Sequence, residues 1–135
     1  MKHHARGTFE VKMTPLKPDS AEAEGLNLGR MRGDKDLHGD VEGTGKGEML
    51  SFMSPAAGSG GYVAIERITG TLAGRNGSFV LLHSAVMAKE VPQMWSVVVI
   101  PDSGTEQLAG LAGTMTIEIK GGKHFYDFEY TLPED

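Results

Sequence analysis

The sequence contains no cysteine, which excludes a disulfide framework, a thiol nucleophile and a thiolate metal site. A chain without cysteine suits the reducing cytoplasm, so we expect a cytoplasmic protein. Positive charge is not in excess either: the formal net charge is −5 at pH 7, which argues against nucleic acid as a partner. No apolar run approaches the roughly 18 residues of a membrane-spanning helix, and we expect no membrane partner.

The chain also lacks the motifs of several common sites. No serine lies in a G-x-S-x-G elbow, and the glycine-rich segment 43–47 has the wrong spacing for a phosphate-binding loop. Acidic residues and one histidine alternate between positions 34 and 42. This spacing is compatible with a divalent-cation site, but a solvated acidic edge is the more common origin of such a pattern. We therefore predict neither a metal site nor a cofactor.

Glycine, by contrast, is abundant: the chain has 19, spread along most of its length. Glycine distributed in this way is typical of tight turns, bulges and barrel corners. Between the turn signals, the sequence predicts eight strands. They cover residues 6–13, 26–37, 40–53, 61–73, 78–87, 93–100, 107–119 and 123–132. Gly110 and Gly113 are interpreted as bulges or bends in the seventh strand, and only residues 19–25 have a helical tendency, over about one turn.

Eight antiparallel strands suffice to close a barrel whose interior takes one small ligand. We therefore predict an all-β fold, a closed eight-stranded antiparallel barrel of lipocalin-like appearance with no substantial helix. The length of 135 residues is near the commonest size of a single domain. The prediction is one domain over residues 1–135, with mobile ends at 1–6 and 133–135.

One hairpin indicates which side chains face the interior. Gly121-Gly122 is a strong signal for a two-residue turn, and it would pair Ile119 with His124 and Ile117 with Tyr126. Directly opposed residues share a face of the sheet. The face with His124, Tyr126 and Tyr130 must be the inner one, because the opposite face carries five charges.

A second hairpin orients the fourth and fifth strands. A turn at Asn76-Gly77 would pair Leu72 with Leu81, and a four-residue loop over 74–77 would keep the same faces. The face with Tyr62, Glu66 and His83 is assigned to the interior, since it holds the larger aromatic residues. The opposite face carries four branched apolar residues, namely Val63, Ile65, Val80 and Leu82.

The inward polar residues are the candidates for a site. Charged and phenolic groups in a dry interior are costly unless they are paired, and a polar-tipped pocket offers such groups to a small molecule. We assign Glu66 and His83 to proton transfer, and we assign ligand contacts to Tyr62, His124, Tyr126 and Tyr130.

Structural roles remain open for each of these residues. Either histidine can be a satisfied core residue, which is the commoner case. Glu66 can instead form a buried ion pair with Arg67 or Arg30. The tyrosines can belong to the core with their hydroxyl groups at its rim.

Long stretches of the chain resemble one bacterial family, the domain of unknown function numbered 3224. They are HGDVEGTGKGEML at 38–50, GYVAIERITGTL at 61–72, GSFVLLHS at 77–84, PDSGT at 101–105, LAGLAG at 108–113 and GKHFYDFEY at 122–130. The resemblance covers about residues 7–132. It implies the fold of allene oxide cyclase, an eight-stranded antiparallel barrel that holds an oily substrate and steers its cyclisation. The family has no settled activity, and the catalytic residues of the plant cyclase do not map by motif onto this sequence.

Two functions follow as hypotheses. The first is a barrel that binds a small apolar molecule, either as a cofactor-independent cyclase or isomerase or as a carrier without turnover. The second is a structural or interaction module that forms a homo-oligomer through the outer apolar face of the fourth and fifth strands.

Overall fold

Eight antiparallel strands, connected in chain order, close into a single barrel, which confirms the predicted fold class. The computed structural model describes residues 1–55, 58–89 and 91–133. The strands are β1 (His3–Pro15), β2 (Gly29–Gly39), β3 (Val41–Met53), β4 (Gly60–Leu72), β5 (Arg75–Ala88), β6 (Val91–Val99), β7 (Ala112–Lys120) and β8 (Lys123–Thr131). One short helix, α1 (Ala21–Gly25), and a 3₁₀ turn (Glu106–Leu108) complete the described elements. No described helix is long and apolar enough to cross a membrane.

The sheet can close because its strands turn alternate residues to the interior, where most of the buried side chains are apolar. In β5 the inward Phe79, Leu81, His83 and Ala85 are buried, while the alternate residues at 80, 82 and 84 are partly exposed. Side chains with this period of two can bury one face of a sheet. Closing the sheet removes both edges, which would otherwise present unpaired backbone groups.

The seam between the first and last strands closes the barrel. His3 of β1 pairs with Tyr130 of β8, and Phe9 pairs with His124. Strand β1 thus begins at His3, inside the segment 1–6 for which a mobile end is predicted. Of the predicted C-terminal end, residues 134 and 135 lie outside the described part of the chain.

The hairpin between β7 and β8 has the predicted register. Lys120 pairs with Lys123, and Ile119 pairs with His124 across the Gly121-Gly122 turn. Both glycines have positive φ, +58° and +78°, as this type of hairpin turn requires.

The predicted turn between β4 and β5 was wrong. The chain turns at Ala73-Gly74, so that Leu72 pairs with Arg75 and not with Leu81. Ala73 and Gly74 have φ values of +48° and +85°, the left-handed pair that a two-residue hairpin uses. Gly77 lies inside β5, where a Cβ would come within 2.3 Å of the Thr105 carbonyl oxygen. The partner of Leu72 differs from the predicted one by six residues, 81 − 75, and this even shift preserves the predicted inner and outer faces.

The predicted start of the seventh strand was also wrong. Residues Glu106–Leu108 form the 3₁₀ turn, and β7 begins only at Ala112. Leu108 and Leu111 are buried at the end of the barrel, and Gly110 has a φ of +80° at the bend between them. The spacing of apolar residues in this segment therefore reflects side chains that fill the end of the barrel, and not a strand. The other strand boundaries agree with prediction to within about three residues.

The two ends of the barrel differ in packing. One end, where β4 meets β5 and β6 leads to β7, is filled by a core that includes a stacked pair, Phe79 and Phe128, with ring centroids 5.6 Å apart. Leu108 and Leu111, from the segment between β6 and β7, belong to the same core. We call this end of the barrel the closed end. At the opposite end, which we call the mouth, the interior is open.

Candidate functional site

A cavity of about 210 Å³ enters the barrel from the mouth. In other proteins an apolar cavity of roughly 150 Å³ holds benzene, so this one has room for a small ring compound. Most of its lining is apolar, and polar groups gather at its inner end. The apolar and aromatic lining residues are Phe9, Val11, Met13, Met49, Tyr62, Ala64, Ile65, Trp95, Ile117 and Ile119.

Three charged or titratable side chains meet at the inner end of the cavity. Glu66 Oε1 accepts a hydrogen bond from Lys35 Nζ at 3.1 Å and lies 2.9 Å from His83 Nε2. Their side chains are only 8% (Lys35), 10% (Glu66) and 9% (His83) exposed. We call these three residues the floor triad.

Strand order explains how the floor triad assembles. Lys35 lies on β2 and Glu66 on β4, with β3 between them; Lys35 pairs with Gly45, and Glu66 pairs with Gly47. Because Gly45 has no side chain, the two charged groups can meet across it. A Cβ on Gly45 would lie 2.6 Å from Glu66 Oε2. The glycine-rich segment of β3 therefore makes room for the ion pair.

The floor triad keeps Glu66 ionised. Burial raises the pKa of this carboxyl group, but the hydrogen bond from His83 and the charge of Lys35 outweigh burial and leave the pKa below its ordinary value. At neutral pH the floor therefore presents a carboxylate beside an ammonium group.

Both contacts fall on the same oxygen of Glu66. The other oxygen, Oε2, takes no hydrogen bond from the described residues. It is nevertheless not among the described polar atoms that are both fully buried and without a hydrogen-bond partner. The same holds for His83 Nδ1. Since both residues line the cavity, these two atoms are accessible to a molecule inside it.

Aromatic rings form the wall beside the floor triad. Lys35 Nζ lies 4.4 Å from the centroid of the Phe9 ring, and Phe9 stacks on His124 with centroids 4.9 Å apart. Tyr62 stands on the wall nearer the mouth. Burial raises the pKa of Tyr62, opposed by a hydrogen bond with Trp95 and reinforced by the charge of Glu66.

The structure brings four of the six predicted site residues to this cavity: Tyr62, Glu66, His83 and His124. Tyr126 and Tyr130 are buried elsewhere. The hydroxyl group of Tyr126 donates to the His38 carbonyl oxygen at 2.9 Å and accepts from Val41 N at 2.9 Å, and burial raises its pKa.

Tyr130 belongs to the closed end. Its ring stacks on Phe128, with the centroids 5.3 Å apart. Both tyrosines face inward as predicted, but they lie below the cavity and not in its wall.

The ion-pair partner of Glu66 is Lys35 and not Arg67 or Arg30, which corrects the alternative considered from the sequence. Arg67 is on the outer face of β4, and Arg30 pairs with Glu48 at 3.0 Å. Sequence reasoning missed Lys35 because it lies within a segment that looked like an acidic edge. The signal that was missed is the alternation of faces along the strand: Lys35 lies two residues before the buried Leu37 and therefore on the same face of β2.

Some of the alternating polar residues near the β2–β3 turn form ion pairs at the surface. Asp34 pairs with Arg32 and Lys46, and His38 pairs with Glu10, which raises the pKa of His38. Among the described residues, no group of three or more side chains is arranged to hold a metal ion.

These observations define a small closed β-barrel with a half-filled interior and an apolar cavity that ends on a buried ion pair. The chain belongs to the family described as protein of unknown function (DUF3224), whose model matches residues 5–130. It is 44% identical to a protein of unknown function from the same family in Shewanella oneidensis MR-1, with 98% of each chain covered and a TM-score of 0.88 to its crystal structure. No curated protein matches the chain significantly. The family is thereby confirmed, whereas the likeness to allene oxide cyclase stays a prediction.

Proposed function

We propose that this barrel binds a small apolar molecule in its cavity and, without a cofactor, catalyses an isomerisation or cyclisation in which Glu66 and His83 move a proton. The observation that carries the proposal is the position of the floor triad at the inner end of an otherwise apolar cavity. Binding sites for small molecules commonly combine apolar walls with a few converging polar groups.

The energetic cost of the floor triad supports the proposal. A buried ion pair often contributes little net stability, because desolvation offsets its attraction. Apolar residues at positions 35, 66 and 83 would fill the barrel as the closed end is filled. The polar groups instead face open space, where they can contact a bound molecule.

Proton transfer is the chemistry that these groups offer. Glu66 Oε2 or His83 Nδ1 removes a proton from the bound molecule, and the same group returns it at another atom. The apolar walls would hold the molecule in one conformation and exclude water. Tyr62 lines the wall of the cavity and would contact the molecule nearer the mouth.

A cavity-filling variant tests binding. Trp95, the single tryptophan, lines the cavity, so its fluorescence should change when cyclohexanone is titrated into the protein. Ala64→Phe would occupy the cavity and should abolish that change. The matched control is Ala112→Phe, because Ala112 is exposed on the outer face of β7 and its replacement should leave binding intact. Equal responses from both variants would exclude this cavity as the binding site.

Turnover is tested separately by proton exchange. We expect the protein to accelerate deuterium incorporation next to the carbonyl group of cyclohexanone in D₂O, as followed by NMR. Glu66→Gln and His83→Ala should lower this rate while fluorescence still reports binding. If both variants exchange at the wild-type rate, neither residue transfers the proton.

A second candidate function rests on the outer surface. Exposed apolar residues run across neighbouring strands: Leu50 pairs with Val63, and Val86 pairs with Met94. Ile65 is 54% exposed and Met94 73% exposed in this band. Patches of this kind mark interaction sites, and a second copy of the chain would bury this band of apolar residues. Sedimentation should then show an oligomer that Ile65→Glu dissociates, whereas a monomeric wild-type protein would contradict this role.

A further inference from the structure

We infer that Lys35 binds the oxygen atom of the ligand, and that the cavity selects small, uncharged carbonyl compounds. The inference rests on the proposed function, since it names the class of molecule that the same cavity takes. Lys35 is a residue that the sequence did not single out.

The first step concerns hydrogen-bond donors. A lysine ammonium group has three N–H groups and no acceptor. Among the described residues, Lys35 donates one hydrogen bond, to Glu66 Oε1, and its nitrogen faces the ring of Phe9. Because Lys35 also lines the cavity, at least one N–H group remains for an acceptor on the ligand.

The second step concerns charge. The charges of Lys35 and ionised Glu66 cancel each other, so this pair gives the floor no net charge. An ammonium ligand would place a second cation beside Lys35 in a water-poor space, and a carboxylate would add an unbalanced anion. A neutral ligand with an acceptor oxygen satisfies Lys35 and leaves the charge balanced.

The third step concerns what the floor does to a carbonyl compound. Lys35 would donate to the carbonyl oxygen while Glu66 Oε2 takes a proton from the adjacent carbon. The electrons of the broken C–H bond form the C=C bond of an enolate, whose oxygen anion Lys35 stabilises. Return of the proton to the same or another carbon completes an exchange or an isomerisation, and no oxidant or reductant is needed.

The experiment compares four ligands of nearly equal shape by Trp95 fluorescence: cyclohexanone, methylenecyclohexane, cyclohexylammonium and cyclohexanecarboxylate. A hydrogen bond to a charged donor predicts that the ketone binds at least about tenfold more tightly than the hydrocarbon. Both ions should bind more weakly than the ketone at pH 7.

The paired variant Lys35→Met/Glu66→Gln serves as the control. It removes both charges together, so that no buried charge is left unpaired and the barrel stays folded. The preference for the ketone over the hydrocarbon should disappear in this variant, and hydrocarbon binding should persist.

The possible results separate the two levels of the argument. If the wild-type protein binds none of the four ligands, the proposed function fails. If it binds the hydrocarbon and the ketone equally, or if the paired variant keeps the preference for the ketone, the role of Lys35 is refuted while the cavity remains a binding site. Tight binding of cyclohexylammonium would also overturn the inference.

Discussion

Replacing Lys35 alone should destabilise the barrel, and more so at alkaline pH. The ammonium group of Lys35 balances the Glu66 carboxylate at 3.1 Å, and both side chains are at least nine-tenths buried. Among the described residues, only the His83 hydrogen bond then remains to that carboxylate in Lys35→Met. Removing one partner of a buried ion pair typically costs about 3–5 kcal/mol.

The lower end of that range applies here, because His83 still contacts Glu66. We expect a loss of about 3 kcal/mol in the free energy of unfolding at pH 8.5. For a chain of this length such a loss lowers the melting temperature by about 10 °C. The charge of Lys35 helps to hold the pKa of Glu66 down. Without it this carboxyl group takes up a proton more readily as the pH falls, so the loss should shrink toward acidic pH.

Urea unfolding of three proteins at pH 5.5 and 8.5 measures the effect. They are the wild type, Lys35→Met and Lys35→Met/Glu66→Gln, of which the last should recover most of the lost stability because it leaves no unpaired charge. The reasoning is refuted if Lys35→Met is as stable as the wild type at pH 8.5. It is equally refuted if the double variant is no more stable than the single one.

Three further predictions concern single side chains. Because the pKa of Glu66 is lowered by folding, ionised Glu66 stabilises the barrel above about pH 4.5. This contribution is lost as the pH falls through the folded-state pKa. Glu66→Gln should therefore lack that acid-dependent component in unfolding curves measured from pH 3 to 7. Gly45→Ala should lower the free energy of unfolding by about 1–3 kcal/mol and weaken ligand binding, since its Cβ would displace Glu66. The control in the same denaturation and fluorescence assays is Gly25→Ala, because there is open space around Gly25. Tyr126→Phe should lower stability by about 1–3 kcal/mol through two lost hydrogen bonds, and unchanged ligand affinity would place Tyr126 outside the site, whereas a loss of affinity would return it there.

The feature of the fold that the sequence predicts most securely is which side chains of a strand face the interior. The turn between β4 and β5 lies three residues before the predicted one, yet Glu66 and His83 still face inward. Moving the turn by three residues moves each cross-strand partner by six, from Leu81 to Arg75 for Leu72, and an even shift of partner conserves the face of every side chain. Local turn chemistry was insufficient because Ala73 adopts a left-handed conformation that is uncommon for alanine.

Depth along the barrel axis could not be predicted in the same way. Tyr62 and Tyr126 both face inward, but one lines the cavity and the other holds the β2–β3 turn. Their separation depends on how far neighbouring strands are offset, which no single hairpin reveals. Lys35 was missed for a related reason, since its contact with Glu66 spans β3 and requires the register of three strands together.

The unequal filling of the barrel has a consequence for its dynamics. Backbone amides near Phe79 and Phe128 lie in a packed core, whereas those around the mouth border empty space. Regions with few buried contacts open most easily, so amide hydrogen exchange should be slowest at the closed end and should quicken toward the mouth. A ligand in the cavity supplies the packing that the chain leaves out there. It would slow exchange on all the strands that surround it, and the molecule would then complete the hydrophobic core of the domain.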